Sequence, residues 1–367
     1  MLRARPLPET RGARRGPLPL AASPAYIHTG TMRASFRTAP GQITDIAGIT
    51  VGHRTLAEAG TGCTVVLLER PCTAGIDIRG AAPGSRETAM LDPLAAIQQV
   101  NAIMLSGGSA FGLEAATGAV RFLEEKGVGL KVGRARIPIV PSAIVFDLGM
   151  ITHQIRPGSD DGYRACQAAT RDVQQGSYGA GTGCTVAKLR GKGAAIKGGI
   201  GTAAVSLGDG CLAAALVVVN AVGGIVDPAT GSLVAGPRRL GGGFEDSEEI
   251  LISDPPKLRD WEFNTVIGVV ATNASLDRRA ATRLAGAAQD AIAMAVRPAH
   301  LSQDGDTIFG LSTGELGEVH EDRLRAAASR ATVGAILNAI LSATGLGGIP
   351  AVSELSKQGE STGAAVR

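Results

Sequence analysis

Thr265 stands at the boundary between a polar segment and an apolar one. Residues 262–273 read EFNTVIGVVATN, and residues 236–263 contain three consecutive glycines, an acidic cluster and a Pro-Pro pair. If the chain were cut before Thr265, this threonine would carry its own general base. An α-amino group has a pKa of about 7.7–8.0 and can accept the hydroxyl proton, so no histidine would be needed to attack an amide. The pattern alone also fits a β-branched residue that begins a strand.

Ser109 is the other candidate nucleophile. It lies in LSGGSAFGLEAA (105–116), but the glycine spacing GGSAFG differs from the GxSxG of a nucleophile elbow. We therefore favour an interpretation in which the glycines allow close packing and Ser109 caps the following helix. None of the five histidines has a triad-like setting in the sequence: His28, His53, His153, His300 and His320. A Ser-His-Asp site is accordingly unsupported.

The composition is typical of a globular, layered α/β protein. Of 367 residues, 44% are hydrophobic and only 3% aromatic, so Ala, Val, Leu and Ile must build the core. The net charge of +3 comes from residues 1–38, which hold seven Arg and a single acid, Glu9. Since the remainder of the chain is net negative, we expect no nucleic-acid partner.

The cysteines and the apolar runs give no sign of a metal site or a membrane span. The five cysteines form no CxxC pair and have no histidine at metal-ligand spacing, which favours reduced thiols. The longest apolar run, residues 211–226, is interrupted by Asn220 and two glycines and is too short to cross a bilayer.

Residues 1–38 read as a tail before a single domain of residues 39–367. The tail has no apolar periodicity, so we expect it to be disordered, with Met32 as an alternative start. Arg14-Arg15 could belong to a twin-arginine export signal, but the following stretch is too short and too proline-rich for its hydrophobic region. A cytoplasmic protein is expected.

Apolar runs and helical periodicity alternate through the rest of the chain. Buried strands are predicted at 64–68, 101–105, 212–220 and 265–273. Helices are predicted at 91–100, 111–127, 276–296 and 322–341, the first with Asp92 as N-cap and Pro93 in its first turn.

Two further segments bear on the connections between these elements. Residues 236–263 are too rich in turn residues to belong to a packed element for most of their length, and they predict an exposed connector that ends at Asn264-Thr265. The hexapeptide GTGCTV occurs at 60–65 and again at 181–186. It indicates two similar glycine turns that lead into strands.

Six segments form one ordered pattern: ITDIAGITVGHRT (43–55), AGIDIRGAAPGSRETAML (74–91), LSGGSAFGLEAATGAVRFLEE (105–125), GAGTGCTVAKLRG (179–191), KGGIGTAA (197–204) and EFNTVIGVVATNASLDR (262–278). Together they resemble the DmpA-type peptidase family, which includes L-aminopeptidase/D-amidase-esterases, β-peptidyl aminopeptidases and nylon-oligomer (6-aminohexanoate-oligomer) endo-hydrolases. The resemblance implies a four-layer αββα sandwich of the self-processing N-terminal-nucleophile type. It also implies a homo-oligomer, a tetramer or larger.

The resemblance implies roles for three residues. Self-cleavage would fall between Asn264 and Thr265, giving an α chain to 264 and a β chain whose first residue, Thr265, is the nucleophile. Asn220 matches an asparagine whose amide helps to hold the tetrahedral oxyanion. Lys188 matches a lysine near the nucleophile, where an ammonium would favour the free-base terminal amine. A solvated strand-end lysine is the alternative.

Three more positions follow from the same resemblance. Asp304 and Asp306, in SQDGDTIFG, match two polar positions that hydrogen-bond the nucleophile region, and two carboxylates favour the nylon-type branch; DGD is also a good β-turn sequence. Phe146 stands where the family commonly has a tyrosine near the site. Because its ring has no hydroxyl, Phe146 does not offer the oxyanion assistance or substrate anchoring that a tyrosine hydroxyl would.

The expected function is an aminopeptidase-like amide and peptide hydrolase that needs no cofactor or metal. Small peptides or amino-acid amides are the expected substrates, followed by ω-amino-acid oligomers cut internally. Two alternatives remain open. One is acyl transfer, as in the ornithine acetyltransferases, and the other is an unprocessed binding relative in which Thr265 is only a strand residue.

Overall fold

The computed structural model describes residues 39–256 and 264–355. The strands are β1 (Ile49–Leu56), β2 (Thr61–Gly80), β3 (Ser85–Arg86), β4 (Gln99–Ser106), β5 (Leu130–Val132), β6 (Ala135–Ile137), β7 (Ser142–Ile144), β8 (Thr185–Val186), β9 (Ile196–Lys197), β10 (Gly199–Gly208), β11 (Cys211–Asn220), β12 (Gly224–Asp227), β13 (Ser232–Ala235), β14 (Thr265–Ala274), β15 (Val296–Arg297) and β16 (Gly305–Leu316). The helices are α1 (Ala115–Glu125), α2 (Ser159–Gln167), α3 (Ser247–Ser253), α4 (Arg278–Ala295) and α5 (Glu321–Leu341).

Nine strands join in one hydrogen-bonded sheet with the order β10-β11-β14-β16-β2-β4-β7-β3, and β1 pairs with β2 beside this path. Strand β2 is 20 residues long and serves both halves of the sheet. Its first half pairs with β1 and its second half with β16, on either side of an exposed break at Glu69–Pro71. The long strand therefore links two sheet layers into one ladder.

The central strands are buried on both faces, because successive side chains point alternately into two different cores. In β14, Ile267, Val269 and Ala271 belong to a core between the two sheet layers, whereas Val266 and Val270 face a second core. Strand β11 alternates in the same way. A strand buried on both faces reads as a continuous apolar run, which is why the runs at 212–220 and 265–273 were recognisable in the sequence.

Helices cover the outer face of each sheet layer. Helices α4 and α5 bury Leu284, Ile292 and Ile336 against the outer face of β11 and β14. Helices α1 and α2 bury Leu123 and Cys166 against β2 and β4. The order helix, sheet, sheet, helix is the predicted α/β fold, a four-layer αββα sandwich. The prediction did not include the continuous ladder through β2.

The helices predicted at 111–127, 276–296 and 322–341 are confirmed by α1, α4 and α5. The helix predicted at 91–100 was wrong: Asp92 forms a turn through its Oδ1, which accepts from Leu94 N, and β4 begins at Gln99. The reason is Arg278. Its buried guanidinium donates to the backbone oxygens of Met90, Asp92 and Ile97, which fixes a loop in place of a helix.

Residues 236–263 contain one short helix that was not predicted from the sequence. Helix α3 lies within this segment, with Asp246 as an N-cap whose Oδ1 accepts from Glu248 N and Glu249 N, and with Ile250 buried. Residues 257–263 and the predicted tail, 1–38, lie outside the described residues. Within the described part of the chain, no helix is long and apolar enough to cross a membrane.

Candidate active site

The predicted residues lie close together where three neighbouring strands of the sheet begin or end. Thr265 is the first residue of β14, and its antiparallel partner is Asn220, the last residue of β11. Strand β16 runs parallel to β14, so both strands begin at this same end. Asp304 and Asp306 lie at the start of β16, where Asp304 forms a bridge with Asn264. The directions of β11, β14 and β16 therefore place these four residues at the same end of the three strands.

Asp306 is attached to the strand that carries Thr265. Its Oδ1 accepts from Val266 N at 2.6 Å, and its side chain is buried. Asp304 Oδ2 accepts from Leu301 N at 2.7 Å, which closes a turn at 301–304. The DGD sequence itself begins β16 instead of forming the turn. Gly305 is needed between the two aspartates because a Cβ there would lie 2.4 Å from the Ala82 carbonyl oxygen.

The peptide bond between Asn264 and Thr265, where the sequence predicts self-cleavage, is buried at this end of β14. The backbone oxygen of Asn264 accepts from Gly305 N at 3.1 Å and from Thr265 Oγ1 at 2.5 Å. Thr265 itself is only 3% exposed. The Asn264 carbonyl is thus held by a backbone N–H group and by the Thr265 hydroxyl.

Asn220 and Lys188 form a second polar group at the same end of these strands. Lys188 Nζ donates to Asn220 Oδ1 at 2.9 Å and to Asn220 O at 3.2 Å, and Thr185 N donates to the same Oδ1 at 3.0 Å. Asn220 Nδ2 donates to Phe146 O at 2.9 Å. An amide nitrogen carries two hydrogens, and among the described residues only Phe146 O accepts one of them. Lys188 is anchored here rather than solvated.

Burial and a like charge perturb one carboxyl group at the site. Desolvation, and next the nearby Asp306 charge, raise the pKa of Asp304 to about 7, while Lys188 and His300 oppose the shift. Asp304 Oδ1 is buried and has no hydrogen-bond partner among residues 39–256 and 264–355. Desolvation and the Asp306 charge both favour the protonated form of the Asp304 carboxyl group.

A cavity of about 290 Å³ opens beside these residues. Its lining includes Asn264, Lys188, Phe146 and Thr185. The backbone oxygen of Phe146 accepts a hydrogen bond from Asn220, and Phe146 also lines the cavity. Among the described residues, no group of three or more His, Cys, Asp or Glu is arranged to hold a metal ion.

Ser109 lies elsewhere. It is the first residue of a short 3₁₀ helix, with a φ of +54°, and the N-cap position belongs to Gly108, so the predicted capping role was wrong. Its backbone N donates to Val145 O, and its hydroxyl makes no hydrogen bond to a base within the described residues. Nothing in its surroundings activates it.

The sequence analysis missed His300. Its Nδ1 lies 2.7 Å from Asp306 Oδ2, although no triad-like pattern surrounds it in the sequence. The spacing of six residues from Asp306 carries no pattern, because the contact depends on a loop that turns back on β16. A φ of +59° at His300 marks this loop as unusual, and that is visible only in the structure.

Comparison with known proteins identifies the family of this chain. The model for peptidase family S58 matches residues 41–352. An uncharacterized aminopeptidase of Mycobacterium bovis is 40% identical over 343 residues, which cover 85% of this chain and 97% of its own. A 6-aminohexanoate-oligomer endohydrolase of Paenarthrobacter ureafaciens is 29% identical over 279 residues, 74% of this chain and 75% of the relative.

Solved structures show the same fold at lower identity. A β-aminopeptidase of Burkholderia sp. superposes with a TM-score of 0.66 at 22% identity, covering 89% of this chain and 96% of its own. The L-aminopeptidase D-Ala-esterase/amidase of Ochrobactrum anthropi, described as a variant of the N-terminal-nucleophile hydrolase fold, has a TM-score of 0.64 at 19% identity and covers 88% of this chain and 96% of its own. The chain therefore belongs to peptidase family S58, the DmpA-type family of aminopeptidase-like hydrolases.

Proposed function

We propose that this chain cuts itself between Asn264 and Thr265 and then hydrolyses amides and peptides with Thr265 as its N-terminal nucleophile. The observation that carries the proposal is the setting of the Asn264 carbonyl. It is buried, its oxygen accepts from Gly305 N, and the Thr265 hydroxyl is within hydrogen-bond distance of it. This is the arrangement that an acyl shift from nitrogen to oxygen needs.

The self-cleavage step is an internal attack followed by hydrolysis. Thr265 Oγ1 attacks the Asn264 carbonyl carbon while its proton is taken up, and Gly305 N–H stabilises the oxyanion. Breakdown protonates the Thr265 nitrogen and leaves an ester between Asn264 and Thr265. The α-amine is free once the C–N bond between them has broken. Water then hydrolyses the ester, which releases the Asn264 carboxylate and restores the Thr265 hydroxyl. Asp304 is our candidate for the proton carrier because it is bridged to Asn264, its buried Oδ1 has no hydrogen-bond partner among the described residues, and burial raises its pKa.

The second cycle uses the same hydroxyl on an external amide. The Thr265 amine accepts the hydroxyl proton and passes it to the leaving amine, and water releases the acyl-enzyme. The second N–H of Asn220 Nδ2 is a neutral, preorganised donor for the oxyanion, since Thr185 N and Lys188 Nζ hold its Oδ1. The Lys188 ammonium favours the neutral form of the nearby amine.

Small peptides and amino-acid amides are the proposed substrates. The relatives named aminopeptidase support this class, and the endohydrolase relatives support ω-amino-acid oligomers as a second one. Turnover of a free-amine substrate against its N-acetylated form separates the two. Loss of turnover on acetylation identifies an exopeptidase, while retention identifies internal cleavage. Product that depends on an added amine acceptor would instead identify acyl transfer.

Three variants test the proposal. Thr265→Ala keeps a strand-compatible residue but removes the hydroxyl, so it should give a folded, uncut and inactive chain. Thr265→Ser should still be cut, because it retains a hydroxyl. The matched control is Thr272→Ala, which truncates another buried threonine of β14, one that donates to Leu212 O, and should be cut normally. Cutting of Thr265→Ala, seen on a denaturing gel, would contradict the proposal.

A further inference from the structure

His300 has a hydrogen-bond acceptor facing each of its ring nitrogens. Nδ1 lies 2.7 Å from Asp306 Oδ2, and Nε2 lies 3.2 Å from the backbone oxygen of Gln289. A carboxylate and a carbonyl oxygen can only accept. A neutral imidazole has one donor nitrogen and one acceptor nitrogen, so only the imidazolium form satisfies both contacts. The geometry therefore favours a protonated His300.

The contact places His300 two hydrogen bonds from the nucleophile. Asp306 uses Oδ2 for His300 and Oδ1 for Val266 N, the amide next to Thr265. Gln289, which is fully buried on α4, donates from Nε2 to the backbone oxygens of Asp306 and Asp77. The Asp306 carboxylate thus has one oxygen for each partner. If His300 released it, the carboxylate could rotate away from the strand.

Carboxyl groups and a cation from neighbouring elements face His300. The carboxyl groups that face it are Asp306, in contact, and Asp304, which its charge also reaches. The opposing cation is Arg79, from β2, which is itself paired with Asp77 and Asp290. The Lys188 charge also acts on Asp304. Loss of the His300 proton would leave the two aspartates short of one positive charge.

We propose that the His300 imidazolium is a positioning residue that holds Asp306 on Val266 N and so fixes the direction of the Thr265 nucleophile. This inference rests on the proposed role of Thr265. Although burial opposes it, the hydrogen bond to Asp306 leaves the pKa of His300 above its ordinary value. The charged form is therefore the working form, and activity falls as pH rises through that raised pKa. This limb is opposite in sign to the rise expected from deprotonation of the Thr265 amine.

The backbone at His300 defines the variants. Its φ of +59° is tolerated by asparagine and glycine better than by alanine. His300→Asn keeps a neutral N–H donor close to the position of Nδ1 but cannot titrate. His300→Gly keeps the backbone and removes the donor. His153→Asn, at an exposed histidine, is the matched control.

The kinetic experiment measures kcat and KM from pH 5 to 10 for each cut, purified variant. In His300→Asn, the falling limb should move to higher pH while kcat at low pH stays within about fivefold of wild type. His300→Gly should lose roughly 10- to 100-fold in kcat with KM nearly unchanged, because the cavity wall is intact. His153→Asn should match wild type. An unmoved limb in His300→Asn, a wild-type kcat in His300→Gly, or an effect confined to KM would overturn the proposal.

A second readout does not require activity. In uncut Thr265→Ala protein carrying ¹³C-labelled histidine, the His300 resonance, identified by its loss in His300→Asn, should titrate above the ordinary histidine pKa. Asp306→Asn should remove that upward shift. An ordinary pKa that Asp306→Asn leaves unchanged would overturn the inference even if the wild-type chain cuts itself. An uncut, inactive wild-type chain would refute the proposed function instead, and the titration would still decide whether His300 holds its proton.

Discussion

The two copies of Gly-Thr-Gly-Cys-Thr-Val have the same sequence and different structures. The copy at 60–65 opens the 20-residue strand β2, which pairs with β1 on one side and β4 on the other. The copy at 181–186 ends in the two-residue strand β8, which pairs only with β9 among the described residues. Both copies lead into strands, as predicted. The available partners, and not the local sequence, decide how long each strand becomes.

The copies also contact each other. A Cβ on Gly183 would lie 2.1 Å from the Gly60 oxygen, and a Cβ on Gly62 would lie 2.4 Å from the Gly179 oxygen. The glycine at the third position of each copy is therefore required by backbone approach. Close backbone approach thus accounts for a glycine at this position in both copies.

Their polar groups serve different purposes. In the first copy, Thr64 Oγ1 accepts from Ala180 N at 3.0 Å, a contact within the scaffold. In the second copy, the equivalent residue, Thr185, donates its backbone N–H to Asn220 Oδ1, and Lys188, three residues later, reaches the same atom. The first copy supports the fold, whereas the second positions the candidate active site.

The largest effect on kcat should follow from a change of Asn220, the side chain that the second copy holds through Thr185 N. Asn220→Asp keeps the acceptors for Thr185 N and Lys188 Nζ but loses the N–H donor. We expect kcat to fall by roughly 10²- to 10³-fold with little change in KM, the loss typical of one oxyanion donor. Steady-state kinetics on an amino-acid p-nitroanilide measures it. A variant with near wild-type kcat would exclude Asn220 as the donor.

Alanine at the shared glycine position should destabilise both copies. Gly62→Ala and Gly183→Ala introduce a methyl group against backbone, so each should lower the free energy of unfolding by about 1–3 kcal/mol or more. Only Gly183→Ala should also reduce kcat, because it displaces Thr185. Urea unfolding in the uncut Thr265→Ala background gives the stabilities. Gly193→Ala, which has open space around it, should be neutral. Equal kcat for the two variants would remove the distinction between the copies.

Valine at the fifth position should separate side-chain from backbone roles. Thr64→Val leaves the buried Ala180 N–H without an acceptor and should cost about 1–3 kcal/mol of stability with kcat unchanged. Thr185→Val keeps the backbone N–H that donates to Asn220. The threonine hydroxyl that it removes makes no hydrogen bond to any described residue. It should change stability by less than about 0.5 kcal/mol. The reverse order of the two stabilities would contradict the assignment.

A smaller effect concerns Asp147, which lies between the copies. Its Oδ2 accepts from Thr61 Oγ1 at 2.7 Å, and burial raises its pKa to about 6. The folded state therefore keeps this proton to a higher pH than the unfolded state does. The resulting stability is complete below the ordinary pKa and is lost as pH rises to about 6.

Asp147→Asn should remove a slope of at most about 1.4 kcal/mol per pH unit between pH 4 and 6. Unfolding curves at several pH values measure it in the Thr265→Ala background. The exposed Asp172→Asn should leave the slope as it is. An unchanged slope in Asp147→Asn would mean that this carboxyl group is not buried in its proton-bound form.

The parts of the fold that the sequence predicted are those with local periodicity. The strands containing Asn220 and Thr265 and the helices α4 and α5 repeat apolar residues over ten positions or more. The errors arose where distant residues intervene. Arg278 takes the carbonyl groups that a helix at 91–100 would need, and His300 meets Asp306 through a loop with a left-handed backbone. Neither contact leaves a periodic trace in the sequence.

The candidate site residues also divide into those that local sequence indicates and those that it does not. Thr265 could be proposed from its own chemistry, while Asn220, Lys188, Asp304 and Asp306 came only from the family resemblance. Their meeting depends on β11 being antiparallel and β16 parallel to β14, which no short pattern specifies.

The central claim is that Thr265 becomes a chain N-terminus, and the direct measurement is the intact mass and N-terminal sequence of purified wild-type protein after denaturation. The account predicts two chains that separate only in denaturant, the smaller one beginning TVIGVVATN at Thr265. A single uncut chain that nevertheless hydrolyses amides would contradict it.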